Sequence, residues 1–186
     1  MEDTLTNLST WGYVALAFFS FGGSLVVVAA AGVLSYMGEM NLYISLSVAI
    51  VFNYIGDMFL FYLGKYHKAD IKPYFEKHKR KIALSTLILR KYGVLAIFIQ
   101  KFLYGIKTLI PLSMAISRYD FRKFGFYNIF ASIFFIVVIM LSSFYAGESI
   151  KNLFEYFKEY PWVPFAVLFS VIGLVWFGME RLTKRR

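Results

Sequence analysis

Asp57, Lys101 and Lys107 are charged residues set inside stretches that are otherwise apolar. Asp57 lies within Val51–Leu63. A carboxylate at the centre of a bilayer costs about 2.5–3.5 kcal/mol on insertion scales, so it must face a cavity, pair with a cation or take up a proton. It reads as a proton-coupling acid or a cation partner. The plainer alternative is a structural ion pair, or an interfacial acid held by Lys65. Lys101 and Lys107 flank Tyr104-Gly105, six residues apart. On one continuous helix they would point about 240° apart. A break at Gly105 or Pro111 would bring both ammonium groups to one cavity, where an anion such as a lipid phosphate fits, because lysine binds phosphate as a point charge. The alternative is that both side chains snorkel to the headgroups, although Lys101 lies too far in from Tyr92 to do so without strain.

The composition says what must hold these groups. The chain has 186 residues, no cysteine, 59% hydrophobic and only 17% charged residues. Soluble domains are about 45–50% apolar and about 25% charged, so there is too little polar surface here to coat a soluble sphere. The lack of cysteine removes disulfides, thiolate nucleophiles and thiolate metal sites. His67 and His78 are too few and too far apart for a metal site, and no nucleophile elbow, zinc-protease helix or phosphate loop is present. No metal, no cofactor and no enzymatic activity are expected. A net charge of +9 invites a nucleic-acid reading, and His78-Lys79-Arg80-Lys81 resembles a basic patch. Beside so much apolar sequence it reads instead as a cytoplasmic loop near anionic lipid.

Charge-free runs cover residues 4–38, 40–56, 58–64, 108–117, 124–147 and 160–179. A spanning helix needs roughly 20 apolar residues. Phe124–Gly147 and Tyr160–Met179 read as simple spans, and Asn41–Gly64 as a span carrying Asp57. Leu5–Met37 is too long for one straight helix and is broken by Gly22, Gly23 and Gly32; Tyr92–Ser117 is interrupted by Lys101, Gly105, Lys107 and Pro111. Such breaks mark re-entrant segments lining an enclosed cavity. Glu2 and Asp3 argue against a cleavable signal peptide.

The basic clusters in Lys65–Lys81, around Arg118–Lys123 and in the Arg181–Arg186 tail belong in the cytoplasm, and the acidic Glu148–Glu159 loop outside. That works only if Tyr92–Ser117 enters and leaves on one side. Sliding the chain by 81 residues lays Trp11-Gly12 over Tyr92-Gly93, Phe21 over Phe102 and Glu39 over Asp120. The expected fold is an all-α polytopic membrane protein. In it an inverted repeat of two broken, re-entrant hairpins, each followed by a spanning helix, precedes a C-terminal span. As one membrane domain, 1–186, it divides into a first hairpin and span (11–64), a basic cytoplasmic segment (65–91), a second hairpin and span (92–147), an external loop (148–159) and a last span (160–179).

Gly56-Asp57-Met58-Phe59-Leu60-Phe61-Tyr62-Leu63-Gly64-Lys65 resembles the glycine-aspartate, aromatic, glycine-arginine motif of the DedA family, the VTT domain of bacterial membrane proteins. Tyr92-Gly93, the run Phe98-Ile99-Gln100-Lys101-Phe102-Leu103-Tyr104-Gly105-Ile106-Lys107-Thr108, Pro111, and then Phe124 and Asn128 resemble its second signature. The resemblance covers roughly residues 11–150. It implies a bacterial cytoplasmic (inner) membrane protein, multi-pass with a cytoplasmic C-terminus, that translocates lipid, with undecaprenyl phosphate recycling the leading role and proton-motive force a recurrent theme. It makes Asp57 the acid and puts Lys101, Lys107 and Lys65 where the family has arginines. Tyr104 stands for a proline, and the first hairpin, Phe21-Gly22-Gly23-Ser24 through Gly32, lacks the usual acid and proline. The expected site is Lys101, Lys107, Tyr104, Gly105 and Asn128 for a lipid phosphate, with Asp57 and Glu39 for protons or ion pairing. The partners are a membrane lipid or lipid phosphate, protons and a second copy of the chain, with no nucleic acid. A phospholipid scramblase and a proton-coupled ion or drug antiporter are the competing functions; an intramembrane phosphatase lacks a nucleophile–base pair, and a passive scaffold gives the buried charges no purpose.

Overall fold

The computed structural model describes residues 2–67, 76, 79–103, 107–117, 119–149 and 151–152. The described residues of its first unit, Met1–Tyr145, fold as helices. These are α1 (Glu2–Phe21), α2 (Leu25–Tyr36), α3 (Leu42–Tyr66), α4 (Lys79–Tyr92), α5 (Leu95–Ile99) running into a 3₁₀ turn (Gln100–Phe102), α6 (Leu109–Ile116) and α7 (Phe121–Tyr145). In the second unit, Ala146–Arg186, residues 147–149 and 151–152 are helical. The rest of the expected external loop and the expected span Tyr160–Met179 lie outside the described residues.

Among the described residues two helices, α3 and α7, are long and apolar enough to cross a membrane, each with 25 residues. At 1.5 Å per residue each is about 37 Å long, enough for the roughly 30 Å hydrocarbon core. Both begin on a side-chain cap. Asn41 Oδ1 accepts the N–H groups of Tyr43 and Ile44 at 3.0 and 3.2 Å, and Asp120 Oδ1 accepts that of Lys123 at 2.8 Å. Each satisfies donors that the first helical turn leaves without partners. Asn41 and Asp120 stand 79 positions apart, as do the starts of α3 and α7. At that spacing Asp120 lines up with Asn41, whereas an offset of 81 lays it over Glu39, which does not cap α3.

The two long helices run antiparallel. Ala49 near the start of α3 packs with Met140 near the end of α7, in a cluster with Leu16, Val28, Ala31, Phe135 and Ile136. Phe61 near the end of α3 stacks on Phe124 near the start of α7, ring centroids 4.5 Å apart, in a second cluster with Ile88, Ile97, Ile110 and Met114. Outward, α7 presents Phe126, Phe130, Phe134 and Val138, all exposed and four residues apart. Helical spacing of 3.6 makes these one apolar stripe, the surface a lipid environment solvates.

Breaks fall largely where glycine and the paired lysines predict them. α1 ends at Phe21 and α2 starts at Leu25, with Gly23 between at φ 69°, a left-handed conformation that L side chains seldom adopt. Two expectations need correction. Gly32 does not break α2; it lies inside the helix, where an added Cβ would run into the carbonyl oxygen of Met140 and the Cβ of Ser143 on α7. Pro111 does not end a segment either. It occupies the first turn of α6, where the missing N–H had no intrahelical partner to lose. The basic segment also differs from a plain loop, since its second half is helix α4, whose Ser85 hydroxyl lies 2.7 Å from that of Ser113 on α6.

The end of α1 rests on α3 at Gly56, where a Cβ would collide with the Phe21 carbonyl. Helix propensity alone makes Gly56→Ala stabilising by up to about 1 kcal/mol. The contact reverses the sign, because over-packing costs about 1–3 kcal/mol. Thermal unfolding in detergent should show Gly56→Ala less stable than the parent; a gain would mean that α1 does not dock there.

Candidate functional site

Four polar side chains of α3 and α7 fall between the two apolar clusters. On α3, Asn53 and Asp57 are four residues apart and so share a face; on α7, Asn128 and Ser132 do the same. All four are buried, and Asn53, Asp57 and Ser132 lie within about a turn of the middle of their 25-residue helices. Lys101 enters from the 3₁₀ turn and is itself only 3% exposed. Its ammonium donates to Asp57 Oδ2 at 2.5 Å, Asn53 Oδ1 at 2.6 Å and Ser132 Oγ at 2.8 Å. An ammonium has three N–H donors, so three acceptors from two helices saturate it. Asp57 is held by Lys101; Lys65, the alternative partner, lies instead near the rings of Tyr66 and Phe121.

Asn53 turns its other end to the first break, donating Nδ2–H to the Ser20 carbonyl at 3.3 Å. Lys107, just before α6, donates to the carbonyl of Gly23, and its Nζ lies 5.5 Å from the centre of the Phe135 ring. Gly23 is favoured by its positive φ, and a Cβ there would displace the Lys107 ammonium that lies against it. The turn between α1 and α2 and the chain entering α6 therefore meet at mid-helix of α3 and α7. Lys107 is half-buried, and among the described residues no carboxylate comes within ion-pair distance of it. The two lysines thus differ: Lys101 is neutralised and saturated, whereas Lys107 rests on a neutral carbonyl and the face of a ring, with donors left for an anion.

The remaining expected site residues divide. Asn128 sits one turn from Ser132, donating to the Tyr54 carbonyl at 3.4 Å, with its Oδ1 unpartnered. Glu39 is exposed in the turn before α3, and fifteen residues of helix put it about 22 Å along the axis from Asp57; it is not brought to the site. Tyr104 and Gly105 lie outside the described residues. Asn53, Ser132 and the Gly23 carbonyl were not singled out from sequence, although polar pairs four apart in both spans, Asn53/Asp57 and Asn128/Ser132, were the available signal. Gln100 and Ser20 also escaped notice; both are buried, with the Gln100 amide and the Ser20 hydroxyl making no hydrogen bond within the protein. Buried polar groups of this kind call for water or a ligand. Among the described residues no cluster of His, Asp and Glu suits a metal.

Comparison with known proteins adds a family. The VTT domain matches residues 19–147. The inner membrane protein YohD of Escherichia coli (strain K12) is 25% identical over 188 residues, spanning 98% of this chain and 97% of its own. Two proteins named undecaprenyl phosphate transporter A are 20% and 21% identical. The one from Staphylococcus aureus (strain NCTC 8325 / PS 47) covers 100% of this chain and 98% of its own; that from Bacillus subtilis (strain 168) covers 98% and 96%. No solved structure matches.

A buried ion pair is most sensitive to losing one partner. Lys101→Met leaves Asp57 without its cation and should cost about 3–5 kcal/mol, whereas Lys101→Met combined with Asp57→Asn should regain most of that loss. Denaturant unfolding of the purified protein, read as a double-mutant cycle, checks this; equal losses in the single and double variants would refute the coupling.

Proposed function

The chain belongs to the VTT-domain (DedA) family, and on that premise we propose that it is a membrane transporter of a lipid phosphate, with polyprenyl phosphates such as undecaprenyl phosphate as substrate. The observation that carries the reading is the meeting of Lys101 and Lys107 at mid-helix, one paired with Asp57 and the other with no carboxylate partner. The names of two relatives over almost their whole length support the substrate class.

In this scheme the phosphate approaches Lys107 first. Its negative charge favours protonation of Asp57, which weakens the hold on Lys101 and frees a second ammonium for the phosphate oxygens. Loss of that proton restores the Lys101–Asp57 pair and expels the anion. Asn128 and the Gln100 amide supply further hydrogen-bonding groups to the headgroup, and the prenyl chain stays in lipid. The breaks after α1 and before α6 act as tips of two re-entrant hairpins in an inverted repeat. The antiparallel course of α3 and α7 and their matching caps support that arrangement. Alternating access then means parting one apolar cluster while the other stays closed. Basic residues orient the start of α7 and the C-terminus to the cytoplasm of a bacterial inner membrane.

Proteoliposomes holding undecaprenyl phosphate beside ordinary phospholipid provide the test, for the parent and Lys107→Ala, with and without a pH gradient. The expected result is selective movement of the polyprenyl phosphate, reduced at least tenfold by Lys107→Ala with membrane insertion intact, as loss of a charge-assisted hydrogen bond implies. Acceleration by the gradient would bring in Asp57 as coupler. Equal movement of both lipids would make the protein a scramblase, and movement of neither would favour the ion antiporter. Normal transport by Lys107→Ala would end the proposed role of that residue.

A further inference from the structure

A cavity of about 560 Å³ opens beside the start of α7 and is lined by Val94, Tyr119, Arg122, Lys123, Phe126 and Tyr127. It is separate from the buried lysines, since Arg122 precedes Ser132 by ten residues of helix, about 15 Å along the axis. Its volume falls in the usual range for small-molecule sites, roughly 300–1,000 Å³. The lining has two chemistries. Arg122 and Lys123 are exposed cations, and the phenols of Tyr119 and Tyr127 are half-buried beside them. Val94, Phe126 and the ring of Tyr127 are apolar, and Phe126, 61% exposed, begins the stripe that continues down α7 through Phe130 and Phe134.

The helix terminus is not what makes this cavity suit an anion. Asp120 already accepts the Lys123 N–H, and that bond, with the charges of Lys123 and Lys65, holds the Asp120 carboxyl below its ordinary range. Asp120 is therefore a full negative charge at neutral pH. Against it stand Arg122, Lys123 and Lys65, so the rim is net positive through its side chains. A guanidinium offers a planar fork that fits two phosphate oxygens, and an ammonium adds a point charge.

We infer that this cavity seats the phosphate headgroup of an anionic lipid, with oxygens on Arg122 and Lys123 and hydrocarbon chains lying along Phe126 and the outward stripe of α7. The pairing of cations with an adjoining lipid-facing aromatic surface selects an amphiphile over a free anion, which would use only the polar half. Such a site sits at headgroup level if α7 spans the bilayer. It requires no translocation, and it is a docking position distinct from the mid-helix lysines.

The test is equilibrium binding in nanodiscs of phosphatidylcholine, with Phe126→Trp as a local fluorophore and the same protein without that substitution as the blank. Chain-brominated phosphatidic acid should quench the reporter with about thirtyfold higher apparent affinity than chain-brominated phosphatidylcholine, as two cations at a membrane surface imply. Arg122→Gln with Lys123→Gln should abolish the preference, while Arg122→Lys, which keeps the charge, should retain most of it. Equal quenching by the two lipids would overturn the inference, as would an undiminished preference in the doubly substituted protein. Millimolar inorganic phosphate should leave the preference intact; full displacement by it would overturn the lipid assignment and give the cavity to a free phosphate. Because the readout is binding alone, its failure leaves the transport proposal standing, and the converse also holds.

Discussion

An ammonium group cannot be left dry and unpaired, and the centre of this protein is organised by that constraint. Lys101 is almost wholly buried, and it is tolerated because Asp57, Asn53 and Ser132 accept its three protons. Those acceptors come from both long helices, while the lysine comes from the short segment between α5 and α6. One side chain thereby fixes three pieces of chain at a common depth. Pairs of this kind add little net stability over an apolar core of the same shape. What they do supply is position, because a charge so enclosed has few places to be.

The rest of the packing follows from making room for that layer. Apolar side chains gather in two clusters rather than one, Ala49 with Met140 on one side and Phe61 with Phe124 on the other. The chain ends that meet the layer are brought close by absent side chains. Gly56 lets α1 terminate against α3, and Gly23 lets the Lys107 ammonium reach a backbone carbonyl. Where α1 stops, the Ser20 carbonyl accepts both the Gly23 N–H and Asn53 Nδ2, and the Gly23 carbonyl in the turn accepts from Lys107. Gly23 thus both interrupts the helical run and offers the carbonyl on which a cation rests.

Much of this was legible in the residues. Long charge-free runs gave α3 and α7 to within a few positions, and the double glycine and the paired lysines marked the two interruptions. Pairing of Asp57 with a cation was one of the readings open from the outset, but the choice of Lys101 over Lys65 was not, because eight residues separate Lys65 from Asp57 along α3 while 44 separate Lys101. Contacts of long sequence separation leave no local trace. Gly32 misled for a related reason: a glycine that admits a neighbouring helix looks, in sequence, like one that ends its own. Glu39 misled because acidic turns before helices align readily, whereas the capping role belongs to the residue next to the helix, Asn41. The two cations beside Tyr127 were visible only as a cluster that sets topology, since the cavity between them and Val94 depends on how α5 follows α4.

The division of the core into two clusters has an electrical consequence. A membrane protein with a continuous polar path would conduct ions and dissipate the cell's voltage. Here apolar side chains gather on both sides of the layer that holds Asp57, and an ion stripped of its water among them would be costly to place. In the proposed transport cycle, parting one cluster would leave the other in place as a seal.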